Sequence, residues 1–387
     1  MSLQSIATTL SLIAVFLFLM FDNYVFGIRP FDILGFGLVL FLIAMHFAMV
    51  GPRFRVSRAG TVTVLLTFGF VAISVIRNPS EITAHAALII GVIIFFYFQS
   101  CVVITDTFRK GINFLLGIAV FAIFLQLGIY ALTHFYVDLI PFKDSSLRVL
   151  SGGIILRCSG FYMEPNTHCL AVAMLMLLRR HLYRVPFNTL SYLGLLSMVI
   201  SLSLWGMLIA LVLLLENAIF YHKKFWVIAI ISITVGGLGY GAFTWGMAMD
   251  NPVKKLFVNR IIKLSMTDKS ESKNTPVEGS YRDRYQKLFE PSEAGTRTGI
   301  WFGNGYNTKK FQDFAGANGI SLVWYTLGIG GAASLFGIIT YCAERKRETL
   351  FAILISLVSF PLVAYGFWWV FLGLLYSQKK IWEPTAE

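Results

Sequence analysis

Long stretches with almost no charge recur from one end of this chain to the other, and no soluble fold has use for so many of them. They lie at 5–21, 31–50, 61–76, 86–105, 112–134, 161–178, 187–202, 204–220, 225–245 and 318–341, with a longer one at 350–378. A helix needs about 20 apolar residues to cross a hydrocarbon core roughly 30 Å thick, so each run is read as a membrane span. The run at 350–378 is too long for one upright helix and is interrupted by Pro361 and Gly366. It is therefore read as two short spans, giving about twelve spans in all. Composition agrees: 57% of residues are hydrophobic and 13% charged, an apolar excess that a soluble core cannot absorb.

The first five residues carry no Lys or Arg, and no small-residue cleavage site follows the first apolar run. The first span is thus expected to be a retained helix rather than a signal peptide. Four cysteines, Cys101, Cys158, Cys169 and Cys342, show no paired spacing and are expected to be small core residues. No two histidines have the spacing of metal ligands, so no metal and no cofactor is expected.

Orientation follows from Lys and Arg in the short connections, which resist translocation. Alternate connections carry Arg53, Arg55 and Arg58; Arg109 and Lys110; Arg179, Arg180 and Arg184; Lys223 and Lys224; Arg345, Lys346 and Arg347; and Lys379 and Lys380, fifteen in total. The intervening short connections hold only Arg29 and Arg77. Both termini are therefore placed in the cytoplasm. Nine spans over 1–245 include a smaller outer loop at 135–160; a large outer loop fills 246–317; and 318–387 holds the last spans and a short tail.

The large loop contains twelve Lys and Arg against eight Asp and Glu. Loops longer than about 60 residues escape the charge bias, so this excess is compatible with the outer face. Its two readings are a solvated cap and a site for an anion, not for nucleic acid. Residues 279–289 read as a helix with Ser280 as a possible N-cap, in which Arg282 and Arg284 share faces with Leu288 and Phe289. With Arg260, they are candidates for phosphate oxygens at the membrane surface, because the guanidinium fork takes such oxygens in pairs. The smaller loop ends in Arg157, then Cys158-Ser159-Gly160, with Glu164-Pro165-Asn166 opening the next span. A carboxylate at a membrane interface is costly unless it is paired or wet. Glu164 is therefore either a structural partner of Arg157 or a proton-transfer group, and the residue types alone leave both open.

The order of these features resembles the O-antigen polymerase and ligase superfamily, the Wzy and WaaL type proteins, over about the last two thirds of the chain. The resemblance rests on Arg157 with Ser159-Gly160-Phe161 ahead of Glu164-Pro165-Asn166, and on the serine-rich break at Ser201 to Ser203. It continues through Asn259-Arg260-Ile261, Gly279 to Arg284, Gly303-Asn304-Gly305-Tyr306, and the return through Asn318 into a span bearing Gly328, Gly330 and Gly331. It implies an all-α, GT-C-like polytopic protein of the bacterial inner membrane. The implied activity is metal-independent, inverting glycosyl transfer between undecaprenyl-pyrophosphate-linked oligosaccharides at the periplasmic face. The product would be a lengthened surface polysaccharide, with a separate co-polymerase setting chain length. Carried over by position, Arg157, Arg260 and either Arg282 or Arg284 hold the pyrophosphate. Glu164 is the first choice of base and Asp283 the second, with Asn166 and Asn318 as further site residues. Gly295 follows Arg284 after ten residues, a spacing similar to one in polymerase loops.

Two departures matter. Ligases of the superfamily usually carry a histidine just before the re-entering asparagine, where this chain has Ala317, which argues against a ligase. A basic residue often found after the serine-rich break is replaced by Leu204 and Trp205. The rival readings are a ligase acting on lipid A core, a lipid-linked oligosaccharide flippase or other transporter, and a non-catalytic scaffold. Transporters tend to carry charged or broken helices at mid-membrane; these spans read as nearly free of charge.

Overall fold

The computed structural model describes residues 3–20, 30–51, 82–139, 149–150, 155–156, 158–162, 164–183, 185–218 and 366–376, with short pieces at 62, 65, 69, 72–73, 76, 301, 328–330 and 333. Its helices are α1 (Leu3–Leu19), α2 (Pro30–Val50), α3 (Ile82–Ser100), α4 (Asp106–Thr133), α5 (Pro165–Tyr183), α6 (Thr189–Ile200), α7 (Leu204–Asn217) and α8 (Gly366–Tyr376). Two of them, Pro30–Val50 and Asp106–Thr133, are long and apolar enough to cross a membrane. The expected span at 225–245, the first half of 350–378, and most of the spans at 61–76 and 318–341 and of the loop at 246–317 lie outside the described residues.

All-α is right for the bundle and incomplete for the smaller loop. There β1 (Val149–Leu150) pairs antiparallel with β2 (Ile155–Leu156), with Val149 opposite Leu156 and Leu150 opposite Ile155. Two apolar dipeptides with four residues between them can pair in such a ladder.

Helix ends follow local chemistry. Thr105 caps α4 by accepting from the Phe108 N–H at 3.1 Å, and Asn188 caps α6 by accepting from the Ser191 N–H at 3.1 Å. The serine-rich break falls where the sequence places it. α6 ends at Ile200, Leu202 sits in the left-handed region at φ 51°, and the Ser203 hydroxyl accepts from the Gly206 N–H at 3.0 Å to start α7. A leucine in that region is sterically disfavoured, so the serine bonds on either side hold the turn.

Packing relies on close approach, because in lipid apolar surface alone does not drive helices together. α3 lies against α8: a Cβ on Gly91 would meet the Trp369 indole at 2.1 Å, and one on Gly373 would meet Phe98 Cβ at 2.7 Å. The Phe95 and Trp369 rings meet edge-on, 6.4 Å apart. A Ser11 to Tyr97 hydroxyl bond of 2.8 Å joins α1 to α3. α5 is the axis of the described bundle. It packs against α4, α6, α7 and α8, and every residue in it except Asn166 and Tyr183 is buried.

α5 also corrects an expectation. Its span was expected to end at Leu178, leaving Arg179 and Arg180 in a solvated connection, but the helix runs on to Tyr183 and both arginines are buried. Arg180 pairs with Glu216 of α7. The expectation that the spans are nearly free of charge therefore fails here: a basic residue at a helix C-terminus suits the dipole, and a carboxylate on the neighbouring helix compensates its burial.

Candidate functional site at the head of the central helix

The start of α5 is set by Glu164-Pro165. Proline at the first helical position lacks only an N–H that no helix would use, and its φ is already helical. The Glu164 carbonyl accepts from the N–H groups of Thr167 at 3.1 Å and His168 at 3.3 Å, so Glu164 begins the helix from outside it. Its side chain is exposed. A carboxylate there is favoured by the positive end of the helix dipole.

Below Glu164, α5 is tied rung by rung to α6 and α7. Asn166 Oδ1 accepts from the Ser203 hydroxyl. His168 Nε2 bonds the Ser197 hydroxyl at 3.1 Å, and Tyr162 lies beside the imidazole. Cys169 Sγ lies 3.1 Å from the Ser201 hydroxyl. Asn166 thus links the head of α5 to the head of α7 directly, and the two helix N-termini converge at the break.

The approach to Glu164 is held from α4. Gln126 is buried about two turns before the end of that apolar helix. Its Oε1 accepts from the N–H of Ser159 at 3.1 Å and of Gly160 at 2.8 Å. Its Nε2 faces the Val137 carbonyl at 3.2 Å, the Gly160 carbonyl at 3.4 Å and the Tyr136 hydroxyl at 3.4 Å. The Tyr136 hydroxyl in turn donates to Asp138 at 2.9 Å. Two fixed backbone donors on one atom determine which end of the carboxamide is oxygen. Removing that oxygen would strand two buried N–H groups at about 1–3 kcal/mol each. Gly160, at φ 58°, makes the turn that brings the loop from Cys158 towards α5. Cys158 is itself buried against α4, and burial pushes its thiol up to about 12.

A second polar group lies at the other end of α5. Arg179 donates to Asn113 at 2.7 Å and to Ser191 at 3.5 Å and lies over the Tyr183 ring. Arg180 stacks on Phe187, whose N–H donates to Asn217 at 3.2 Å.

Of the residues expected to form the site, the structure brings Glu164 and Asn166 to one place. Arg157, Arg260, Arg282, Asp283, Arg284 and Asn318 lie outside the described residues. Gln126, His168 and Ser203 were not singled out as site residues. Gln126 carried a usable signal, a carboxamide well inside the apolar run at 112–134. Among the described residues, no three of His, Cys, Asp and Glu gather as a metal site needs. No protein-family model matches the chain, and no curated protein matches it either.

Proposed function

We propose that this chain is a polymerase of bacterial surface polysaccharide, with about twelve spans, a GT-C-like arrangement and cytoplasmic termini in the inner membrane. The observation that carries the reading is the exposed carboxylate of Glu164 at the head of a helix otherwise buried along its length. Such a carboxylate meets water and headgroups while its backbone is held in place.

In the proposed reaction, a hydroxyl of an incoming undecaprenyl-pyrophosphate-linked repeat unit attacks the anomeric carbon of the growing lipid-linked glycan. The new glycosidic bond forms as the anomeric C–O bond to pyrophosphate breaks, and undecaprenyl pyrophosphate departs. Glu164 takes the hydroxyl proton, with Asp283 as the alternative base. Negative charge grows on the leaving pyrophosphate, so Arg157, Arg260, Arg282 and Arg284 would stabilise the transition state more than the ground state. Asn166 and Asn318 would orient the sugars, and membrane lipids would flank the site. No metal or other cofactor enters the scheme, and a co-polymerase would set the length of the product.

Purified protein incubated with lipid-linked repeat units should give a ladder of products. Glu164→Gln and Arg284→Ala should each abolish the ladder while leaving the protein in the membrane. A normal chain-length distribution from Glu164→Gln would remove that residue from the mechanism. The absence of any ladder from competent substrate would refute the polymerase, and transfer to lipid A core would identify a ligase instead.

One observation favours a second reading. The buried Arg180–Glu216 pair is an ionic contact inside the bundle, and ionisable residues within spans mark ion and substrate paths in transporters, a class that would include a lipid-linked oligosaccharide flippase. Substrate-dependent movement of labelled lipid-linked oligosaccharide across vesicles, without polymer, would establish it.

A further inference from the structure

We propose that Gln126 is a positioning residue that clamps both ends of the outer loop at 135–160 and thereby fixes the approach to Glu164. The inference rests on the polymerase reading for its catalytic half; the clamp itself does not.

The geometry is unusual for a single side chain. The loop leaves α4 after Thr133 and passes Tyr136 and Val137, while its far end returns through Ser159 and Gly160. Those departing and returning segments are more than twenty residues apart in sequence, yet both bond the same carboxamide. The oxygen holds only the returning end; the NH2 group reaches both. An isolated amide inside an apolar helix is costly, and here all of its polar capacity is spent on the loop. The residues beyond the clamp are those the mechanism uses. Arg157 lies two positions before Ser159, and Glu164 four after Gly160. Loosening the clamp frees the backbone on the approach to both, and positional freedom at a reacting group lowers turnover more than binding.

The test uses the full-length protein in detergent or lipid nanodiscs. Cys158, buried and adjacent to Ser159, reports on the loop through its alkylation by N-ethylmaleimide, resolved from the other cysteines by peptide mass. In Gln126→Leu the alkylation rate should rise about tenfold or more, since the pocket opens with the loop. In the ladder assay, kcat should fall about tenfold or more with KM held within about threefold, the signature of lost positioning. Alkylation at the wild-type rate overturns the clamp. Faster alkylation with unchanged kcat overturns the positioning role. If wild type makes no polymer, the polymerase reading and the catalytic role fall together, whereas faster alkylation in the variant still identifies the clamp. Should Gln126→Leu give no monodisperse protein, Tyr136→Phe decides by alkylation, because it removes one acceptor at the loop's start and leaves α4 intact. A rise of about threefold or more supports the clamp and the wild-type rate overturns it.

Discussion

Arg180 in the last turn of α5 and Glu216 near the end of α7 form an ion pair whose side chains are 0% and 1% exposed. Neither charge could be buried alone. Removing one partner leaves the other uncompensated, which typically costs about 3–5 kcal/mol, whereas replacing both by apolar residues of similar volume is often neutral or stabilising. Arg180→Met and Glu216→Leu should each lower the thermal midpoint of the detergent-purified protein sharply, and the double variant should recover most of the loss. The same double variant separates the two functional readings. A polymerase working at the Glu164 end should retain its ladder, whereas a transporter that depends on the buried pair should lose transport.

Ser203 serves two partners at once. Its hydroxyl accepts from the Gly206 N–H to cap α7 and donates to Asn166 at the head of α5. Loss of a cap costs about 0.5–2 kcal/mol, and the lost bond to Asn166 adds to it. Ser203→Ala should therefore destabilise more than Ser201→Ala, since the Ser201 hydroxyl meets the Met198 carbonyl in its own turn, the Ser203 N–H at a long 3.4 Å and the Cys169 sulfur, and caps no helix. Thermal unfolding of the two variants side by side checks the order. Under the polymerase reading Ser203→Ala should also reduce polymer, because the asparagine it holds lies two residues from Glu164.

How much of this was legible depends on what each signal measures. Apolar length marked the bounds of α1 and α2 to within two residues and those of α3 and α4 to within six, because a span needs a minimum run whatever its neighbours are. Serine in pairs marked the α6–α7 break, because hydroxyls cap helices and interrupt them. The end of α5 was misplaced because arginine reads as a loop residue by default. Only the position of Glu216 across the bundle reverses that reading, and one-dimensional patterns do not report which helices face each other. Glu164 was legible as a costly charge beside a span. Gln126 was visible as an amide in an apolar run, but its role was not, because its worth lies in four partners scattered over two loop ends, Tyr136, Val137, Ser159 and Gly160.

Gly206 is the contact point of α7 with α5. A Cβ there would come within 2.2 Å of Cys169 Sγ and 3.0 Å of its Cβ. Glycine at such a crossing permits an approach that any side chain prevents, and overpacking a tight contact costs about 1–3 kcal/mol. Gly206→Ala should lower the thermal midpoint. Cys169→Ala in the same chain should restore only part of it, since removal of the sulfur leaves the 3.0 Å contact. Full restoration would mean that the helices separate more easily than this packing implies.

Cys158 should be an unreactive thiol with an unusual pH profile. Burial raises it from an ordinary value of 9.0 to about 12, so the nucleophilic thiolate is scarce at neutral pH. Alkylation of folded protein should be slow at pH 7 and keep rising about tenfold per pH unit beyond pH 9, where an exposed cysteine levels off. The same shift bears on stability. The folded state holds this proton more tightly than the unfolded chain, so the contribution is fully present below pH 9 and declines as pH rises towards 12. Cys158→Ala should remove that alkaline loss, which would be measured as a flatter dependence of the thermal midpoint between pH 8 and pH 10. A plateau in the alkylation rate near pH 9 would instead show a thiol already open to solvent, and would place the Cys158 loop outside the clamp that Gln126 forms.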